Sequence, residues 1–154
     1  MQILDLKNEP QHIPQLAEWH HYEWSSLNPG RTLEQRIESM QSYLDDAFVP
    51  STFIAKDATL MGSAAIIVSD METRPELTPW LASVFVRPDF RNRGVGSLLV
   101  QHVMQRARMA GIEQLYLFTP DRASFYRRLG WKTLSEEQYR EHRVTIMSVE
   151  LNQV

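Results

Sequence analysis

The chain predicts an α/β (α+β) fold, a mixed central β-sheet of six to seven strands flanked by about four helices, and three observations carry that prediction. Short β-prone runs recur at residues 3–6, 52–55, 60–68, 80–86, 115–118, 131–134 and 144–151. Four stretches with apolar residues at helical spacing lie among them, two near the N-terminus and two in the second half. The run at 80–86 reaches the run at 115–118 through a long amphipathic segment, the connection that makes two strands parallel neighbours in one sheet.

Taken in order, residues 3–6 alternate enough for a first strand, and Asn8-Glu9-Pro10 is a helix start ahead of Ile13, Leu16, Ala17, His20 and Trp24. Asn28-Pro29-Gly30 breaks the chain. Thr32-Leu33-Glu34-Gln35 is a capping-box pattern, in which the threonine hydroxyl and glutamine side chain satisfy the first free amides of a helix with Ile37, Met40 and Leu44 on one face. The runs at 52–55 and 60–68, separated by Lys56-Asp57-Ala58-Thr59, read as an antiparallel hairpin. Residues 69–79 hold Asp70, Glu72, Arg74, Pro75, Glu76 and Pro79, too many breakers to continue a strand, and read as a functional loop. After the strand at 80–86, Val95, Leu99, Val103, Ala107 and Ala110 repeat every three to four positions, and Gly111 stands where a helix closes. The continuous apolar run at 115–118 fits a central strand, residues 122–129 a short helix, and the last two runs the closing strands.

A chain of 154 residues is of one-domain size, and one core should bury roughly two-thirds of the surface that the unfolded chain exposes. No apolar stretch approaches the roughly 18 residues of a membrane span, and residues 1–20 carry no secretory apolar region. The absence of cysteine excludes thiol catalysis, disulfides and thiolate metal sites, and fits a reducing, cytoplasmic setting. The net charge of −3 hides an asymmetry. Residues 87–128 hold eight arginines against Asp89, Glu113 and Asp121, a segment of +5, so the remainder is −8. A basic half suited to an anionic cofactor thus stands beside an acidic half suited to a cationic acceptor. Nucleic acid is a poor fit, because the basic residues lack interleaved aromatics and the pI is about 5.9. The five histidines have no ligand spacing, so no metal is expected; His20, on an apolar stripe, reads as a core histidine.

The densest chemical signal is Val84-Phe85-Val86-Arg87-Pro88-Asp89-Phe90-Arg91-Asn92-Arg93-Gly94-Val95-Gly96-Ser97. It reads as a strand, a glycine-rich turn and a helix start. The first turn of a helix leaves amides free and carries about half a positive charge, so an anion binds there. Gly94 and Gly96 let those amides converge on a phosphate, and Arg91 and Arg93 add charge. Other phosphate loops fit worse: no Gly-Lys-Ser/Thr tripeptide is present, and Leu99 stands where a dinucleotide fingerprint needs its third glycine.

Arg91-x-x-Gly94-x-Gly96 after an apolar strand resembles the coenzyme A pyrophosphate loop of the GNAT superfamily of N-acetyltransferases. Ala123-Ser124-Phe125-Tyr126-Arg127-Arg128-Leu129-Gly130-Trp131 resembles the family's second block, a helix whose tyrosine stands four residues before glycine and an aromatic. The resemblance covers roughly residues 52–151. It implies a GNAT fold and acetyl-CoA as co-substrate, with pyrophosphate held by Arg91, Asn92, Arg93, Gly94, Val95, Gly96 and Ser97. It implies that the thioester carbonyl and pantetheine arm are held by the main chain at Phe85 and Val86. Asp121 stands where many relatives carry an asparagine that touches this arm, so that contact is altered here and Ser124 becomes a candidate in its place.

Acetyl transfer to an amine needs an acid for the departing thiolate and a base for the ammonium proton. Tyr126 is the candidate acid, since a phenol keeps its proton at neutral pH; aromatic packing beside Phe125 and Trp131 is the alternative. The resemblance supplies no base. Glu76, Glu72 and Asp70, on the loop ahead of the fourth strand, are the candidates, with Glu76 preferred for its nearness to Trp80, and Asp70 also suited to attracting an ammonium. Trp80 is a candidate wall of the acceptor pocket, its alternative being core packing, and Tyr139 and His142 are candidates to reach the same pocket. The expected activity is N-acetylation of a small-molecule or peptide amine by direct attack in a ternary complex. The alternatives are a non-catalytic acyl-CoA-binding sensor and a nucleotide-binding regulatory domain. An exposed last strand is expected, on which a second copy could pair to form a homodimer.

Overall fold

The computed structural model describes residues 1–151. The strands are β1 (Gln2–Asp5), β2 (Ser51–Lys56), β3 (Leu60–Ile67), β4 (Trp80–Val86), β5 (Gln114–Thr119), β6 (Lys132–Tyr139) and β7 (His142–Glu150). The helices are α1 (Ile13–Trp24), α2 (Leu33–Gln41), α3 (Val95–Met109) and α4 (Ala123–Arg128). The seven strands form one sheet in the order β1-β2-β3-β4-β5-β7-β6, antiparallel throughout except where β4 meets β5. Among the described residues no helix is long and apolar enough to cross a membrane.

Strand alternation sorts the core onto two faces. Phe53, Ala64, Ile66, Leu81, Leu115, Leu117 and Met147 turn toward Val95, Leu99, Val103 and Ala107 of α3 and Tyr126 of α4. On the other face Ile54 and Leu60 meet Ile13, Leu16 and Ala17 of α1 and Met40 of α2. Also buried are Trp80, Val144 and Ile146, packed with Met71 and Leu77 of the β3–β4 loop. α2 begins with the expected capping box: Gln35 N–H donates to Thr32 Oγ1 at 3.1 Å, and Thr32 N–H donates to Gln35 Oε1 at 2.9 Å.

Two boundaries differ from expectation. The first helix starts at Ile13, because residues 6–8 and 10–12 form separate 3₁₀ turns on either side of Glu9. The β6–β7 hairpin is much longer than the apolar runs at its ends, and Tyr139 and His142 are strand residues. The last strand, β7, is not the expected edge: it pairs on both sides, with β5 and β6, and β6 is the edge strand, with most side chains in water and so no apolar pattern. Its tight turn uses Arg140 and Glu141, both at positive φ (47° and 69°), where a glycine or asparagine would have signalled the hairpin.

Two irregularities open the sheet at its centre. Register pairing of β4 with β5 is confined to Trp80 opposite Tyr116, and beyond it both strands line a cleft. In the β3–β4 ladder Ser63 pairs with Phe85 and Ala65 with Ala82, so Ser83 and Val84 stand against Ala64 alone. This is a β-bulge with Ser83 at φ +53°. Ser63 Oγ–H donates to the Ser83 carbonyl at 3.3 Å, and His20 Nε2 lies 2.9 Å from the same hydroxyl. Since Ser63 gives its proton to Ser83, His20 donates from Nε2. Burial and the Arg36 charge push the His20 pKa down to about 3, so the ring stays neutral and supports the bulge.

Candidate functional site

A cleft of about 820 Å³ runs from the start of α3, along the open edge of β4, to the loops that follow α1 and β3. At one end the chain leaves β4, makes a 3₁₀ turn over residues 88–90 and enters α3 through Gly94 at φ +81°. Gly94 is the N-cap and offers no side chain, so the free amides of the first turn are left for another acceptor. A Cβ on Gly96 would stand 3.5 Å from Val86 Cγ2 and 3.5 Å from the Phe125 ring, ordinary contacts. The two sequence blocks are therefore neighbours in space, with α4 packed over the N-terminus of α3. Asn92, Gly94, Val95, Gly96 and Ser97 all line the cleft, and so do Phe85 and Val86. A helix N-terminus with uncapped amides and no Cβ in the way suits the pyrophosphate of coenzyme A.

The arginines of this loop act differently from expectation. Arg91 turns back: its Nε donates to the Val86 carbonyl at 2.8 Å, its guanidinium lies 5.6 Å from the Phe85 ring centre, and Glu23 stands 3.7 Å away. It fastens the loop to the end of β4, and its charge is shared with Glu23. Arg93 lies over Phe90 and does not line the cleft. Arg122, the N-cap of α4, and Arg128, its last residue, do line it and bring positive charge. Asp121 lines it too, whereas Ser124 is exposed and stands outside.

Tyr126 is buried against Phe125 and Trp131 yet lines the cleft. Packing and cleft exposure, set as alternatives by the sequence, coexist. Burial pushes its phenol well above the usual range, opposed by Arg122 and assisted by Asp121, so the proton is held firmly at neutral pH.

The acceptor side is redrawn. Glu76 is exposed, bound to Arg74 at 2.9 Å, and lines no part of the cleft. Glu72 accepts from Tyr139 Oη at 2.6 Å and from Arg140 Nη2 at 2.7 Å. These hydrogen bonds hold its carboxyl down at about 2, and a carboxylate so stabilised is a poor base. Trp80 is fully buried, its Nε1–H donating to the Leu77 carbonyl at 2.6 Å, and walls no pocket. Core packing took it: it is buried with Met71 and Leu77 of the β3–β4 loop and with Tyr139, Val144 and Ile146. Tyr139 and His142 reach the cleft. The Tyr139 hydroxyl is committed to Glu72, and its pKa is pushed up to about 12 by burial and that hydrogen bond.

Asp70 remains. It lines the cleft with no hydrogen bond to neutralise it among the described residues, and burial pushes its carboxyl up to about 7 against the pull of Arg140, with Glu72 adding to the rise. A carboxylate that titrates near neutrality is matched to proton transfer. Arg36 is a residue the sequence reading missed. It lines the same cleft, buried on the inner face of α2, although its spacing among Leu33, Ile37 and Met40 marked it as a cation on an apolar stripe.

These features agree with what the chain resembles among known proteins. The family model of the acetyltransferase (GNAT) domain matches residues 50–133. An amino-acid acetyltransferase of Mannheimia succiniciproducens is 28% identical over 128 residues, 82% of this chain and 26% of that protein. One from Aeromonas salmonicida is 31% identical over 86 residues, 56% of this chain and 19% of that protein. The chain thus spans about a quarter or less of the length of these relatives. Among solved structures, an aminoglycoside 6'-N-acetyltransferase complexed with coenzyme A superposes with a TM-score of 0.79 at 16% identity, covering 100% of this chain and 99% of that one. A ribosomal-protein-alanine N-acetyltransferase from Brucella melitensis gives a TM-score of 0.73 at 18% identity, covering 98% and 100%. With more than half of its length matched by the domain and its whole described fold shared with such structures, the chain belongs to the GNAT acetyltransferase family.

Proposed function

We propose that this protein is an acetyl-CoA-dependent N-acetyltransferase in which a primary amine attacks the thioester directly within a ternary complex. The observation that carries this reading is the single cleft joining the uncapped start of α3, the bulged edge of β4, Tyr126 and Asp70. Acetyl-CoA supplies the activated acetyl group as a thioester. The amides of residues 94–97 hold its pyrophosphate, and main-chain groups of β4 around Phe85 and Val86 hold the arm and polarise the carbonyl.

Asp70 takes the proton from the acceptor ammonium, which releases the lone pair that forms the new N–C bond. As the C–S bond breaks, Tyr126 donates its proton to the departing thiolate and recovers one from solvent. Asp70 replaces Glu76 and Glu72 as the base, because it alone of the three faces the cleft with its proton affinity near neutrality.

The test is calorimetric titration with acetyl-CoA, CoA, NAD and ATP, followed by an amine screen read by thiol release. Selective binding of the CoA species, lost in Gly96→Asp, supports the reading. That variant should fold, since its Cβ meets only ordinary contacts. A folded protein that binds none of the CoA species refutes it, and tight CoA binding without turnover of any amine favours an acyl-CoA sensor.

A further inference from the structure

In the acceptor half of the cleft, Arg36 is a buried cation without a counter-ion among the described residues. It is 8% exposed, and its Nε and Nη2 are closed from solvent with no hydrogen-bond partner. Burial and the neighbouring Arg31 both lower its pKa, and only the Tyr43 phenol opposes them; no carboxylate is among the groups acting on it. Three other arginines of the cleft, Arg140, Arg31 and Arg91, are provided for. Arg140 is held by Glu72 and Asn28, Arg31 donates to Ser39 Oγ at 2.5 Å, and Arg91 has the Val86 carbonyl. Leaving a buried charge and two N–H donors unmet is destabilising.

Which donors are unmet matters. Nε–H and the adjacent N–H of Nη2 point the same way from the guanidinium plane's side edge, the fork that matches the two oxygens of a carboxylate. Asp70, Tyr43 and Arg36 line the same stretch of cleft, and both charged groups act on the Tyr43 phenol. The cleft therefore presents an anion and an unpaired cation around one phenol.

We propose that the acceptor is an amino acid, its ammonium meeting Asp70 and its carboxylate taking the side-on fork of Arg36. This rests on the acetyltransferase reading and narrows its acceptor. The fork is closed from solvent, so the ligand reaches it by rotation about the terminal torsions of the side chain, with α2 left in place. A polycationic amine, in contrast, would bring further positive charge beside Arg31 and Arg36 and leave the fork of Arg36 unmet. The carboxylate sets binding, so Arg36 is a specificity residue, not a participant in proton transfer.

The experiment compares the twenty L-amino acids, β-alanine and 4-aminobutyrate with their carboxamides. Binding to the CoA complex is read by calorimetry and thermal shift, and turnover by thiol release. At least one amino acid should bind and react about 100-fold better than its carboxamide. In Arg36→Met that preference should fall to within threefold, chiefly through KM, while CoA affinity stays unchanged; Arg36→Lys should recover part of it. Removing the uncompensated cation should also leave the methionine variant at least as stable as the wild type. Equal binding of acids and carboxamides, a preference untouched by Arg36→Met, or no binding of any amino acid would overturn the inference. The thermal-shift arm run without CoA keeps the outcomes apart: failure to bind CoA counts against the transferase reading, while carboxylate recognition is still read.

Discussion

Asp70→Asn should make this protein more stable and less active, by an amount that depends on pH. The folded protein holds the Asp70 proton up to about pH 7, against an ordinary value of 3.8. Between those values the native state binds more protons than the unfolded chain, so stability falls as pH rises. The difference amounts to about 4 kcal/mol at pH 8, of which roughly 1.5 is already present at pH 5 and about 2.5 accrues between the two. His20 works in the opposite sense: held neutral down to about 3, it costs stability as pH falls below its ordinary 6.5. The two partly cancel in the wild type, so the informative quantity is the difference between variant and wild type. Asparagine does not titrate. Its advantage in urea unfolding should therefore grow by about 2.5 kcal/mol from pH 5 to pH 8, while turnover at pH 8 drops by roughly 100-fold or more. Wild-type kcat/KM should rise through pH 7 as Asp70 loses its proton and becomes able to act as base. An advantage that is the same at both pH values within about 0.5 kcal/mol would refute the raised proton affinity, and with it the reason for preferring Asp70.

Tyr126→Phe should lower kcat by roughly 10²–10³-fold with an unchanged urea midpoint, since the ring packing survives; undiminished turnover would remove the acid role. Because burial holds the phenol proton so firmly, wild-type kcat should show no alkaline decline from this group below pH 10. Gly62→Ala should destabilise by about 2–3 kcal/mol or more in urea melts, since its Cβ would lie 2.4 Å from the Phe85 carbonyl oxygen; a neutral result would show that β3 and β4 separate easily. Ser63→Ala should cost about 1–3 kcal/mol by leaving the His20 Nε2–H without an acceptor. It should also raise KM for acetyl-CoA by loosening the Ser83 bulge, and kinetics at saturating acceptor would detect this.

Local chemistry made much of this molecule readable from the sequence. The capping box at Thr32, the apolar spacing of α3, its closing Gly111 and the Gly94/Gly96 entry each depend on a few adjacent residues, so the chain states them directly. The crossover through α3 also fixed the parallel pairing of β4 with β5. The β6–β7 hairpin was hidden, because an exposed edge strand has no apolar period and its turn uses two positive-φ residues that are neither glycine nor asparagine.

The assignment of charged side chains belonged to the tertiary structure. Asp70, Glu72 and Glu76 are alike on the page of the sequence, three carboxylates on one broken loop. Their proton affinities separate because Glu72 lies against Tyr139 and Arg140, Glu76 against Arg74, and Asp70 against the cleft. Arg91 and Arg93 signalled an anion by proximity in sequence, yet one is bound back to Val86 and the other rests on Phe90. Arg36 sat unnoticed on an apolar stripe until α2 closed over the cleft. Backbone conformation follows from neighbours within a few residues. The energy of a charge follows from what surrounds it in space, and those surroundings come from distant segments: Arg140 meets Glu72, 68 residues away, and Asn28, 112 residues away. The sequence determined where an anion enters the fold; the packing of distant loops decided which carboxylate can take a proton and which arginine is left to hold a ligand.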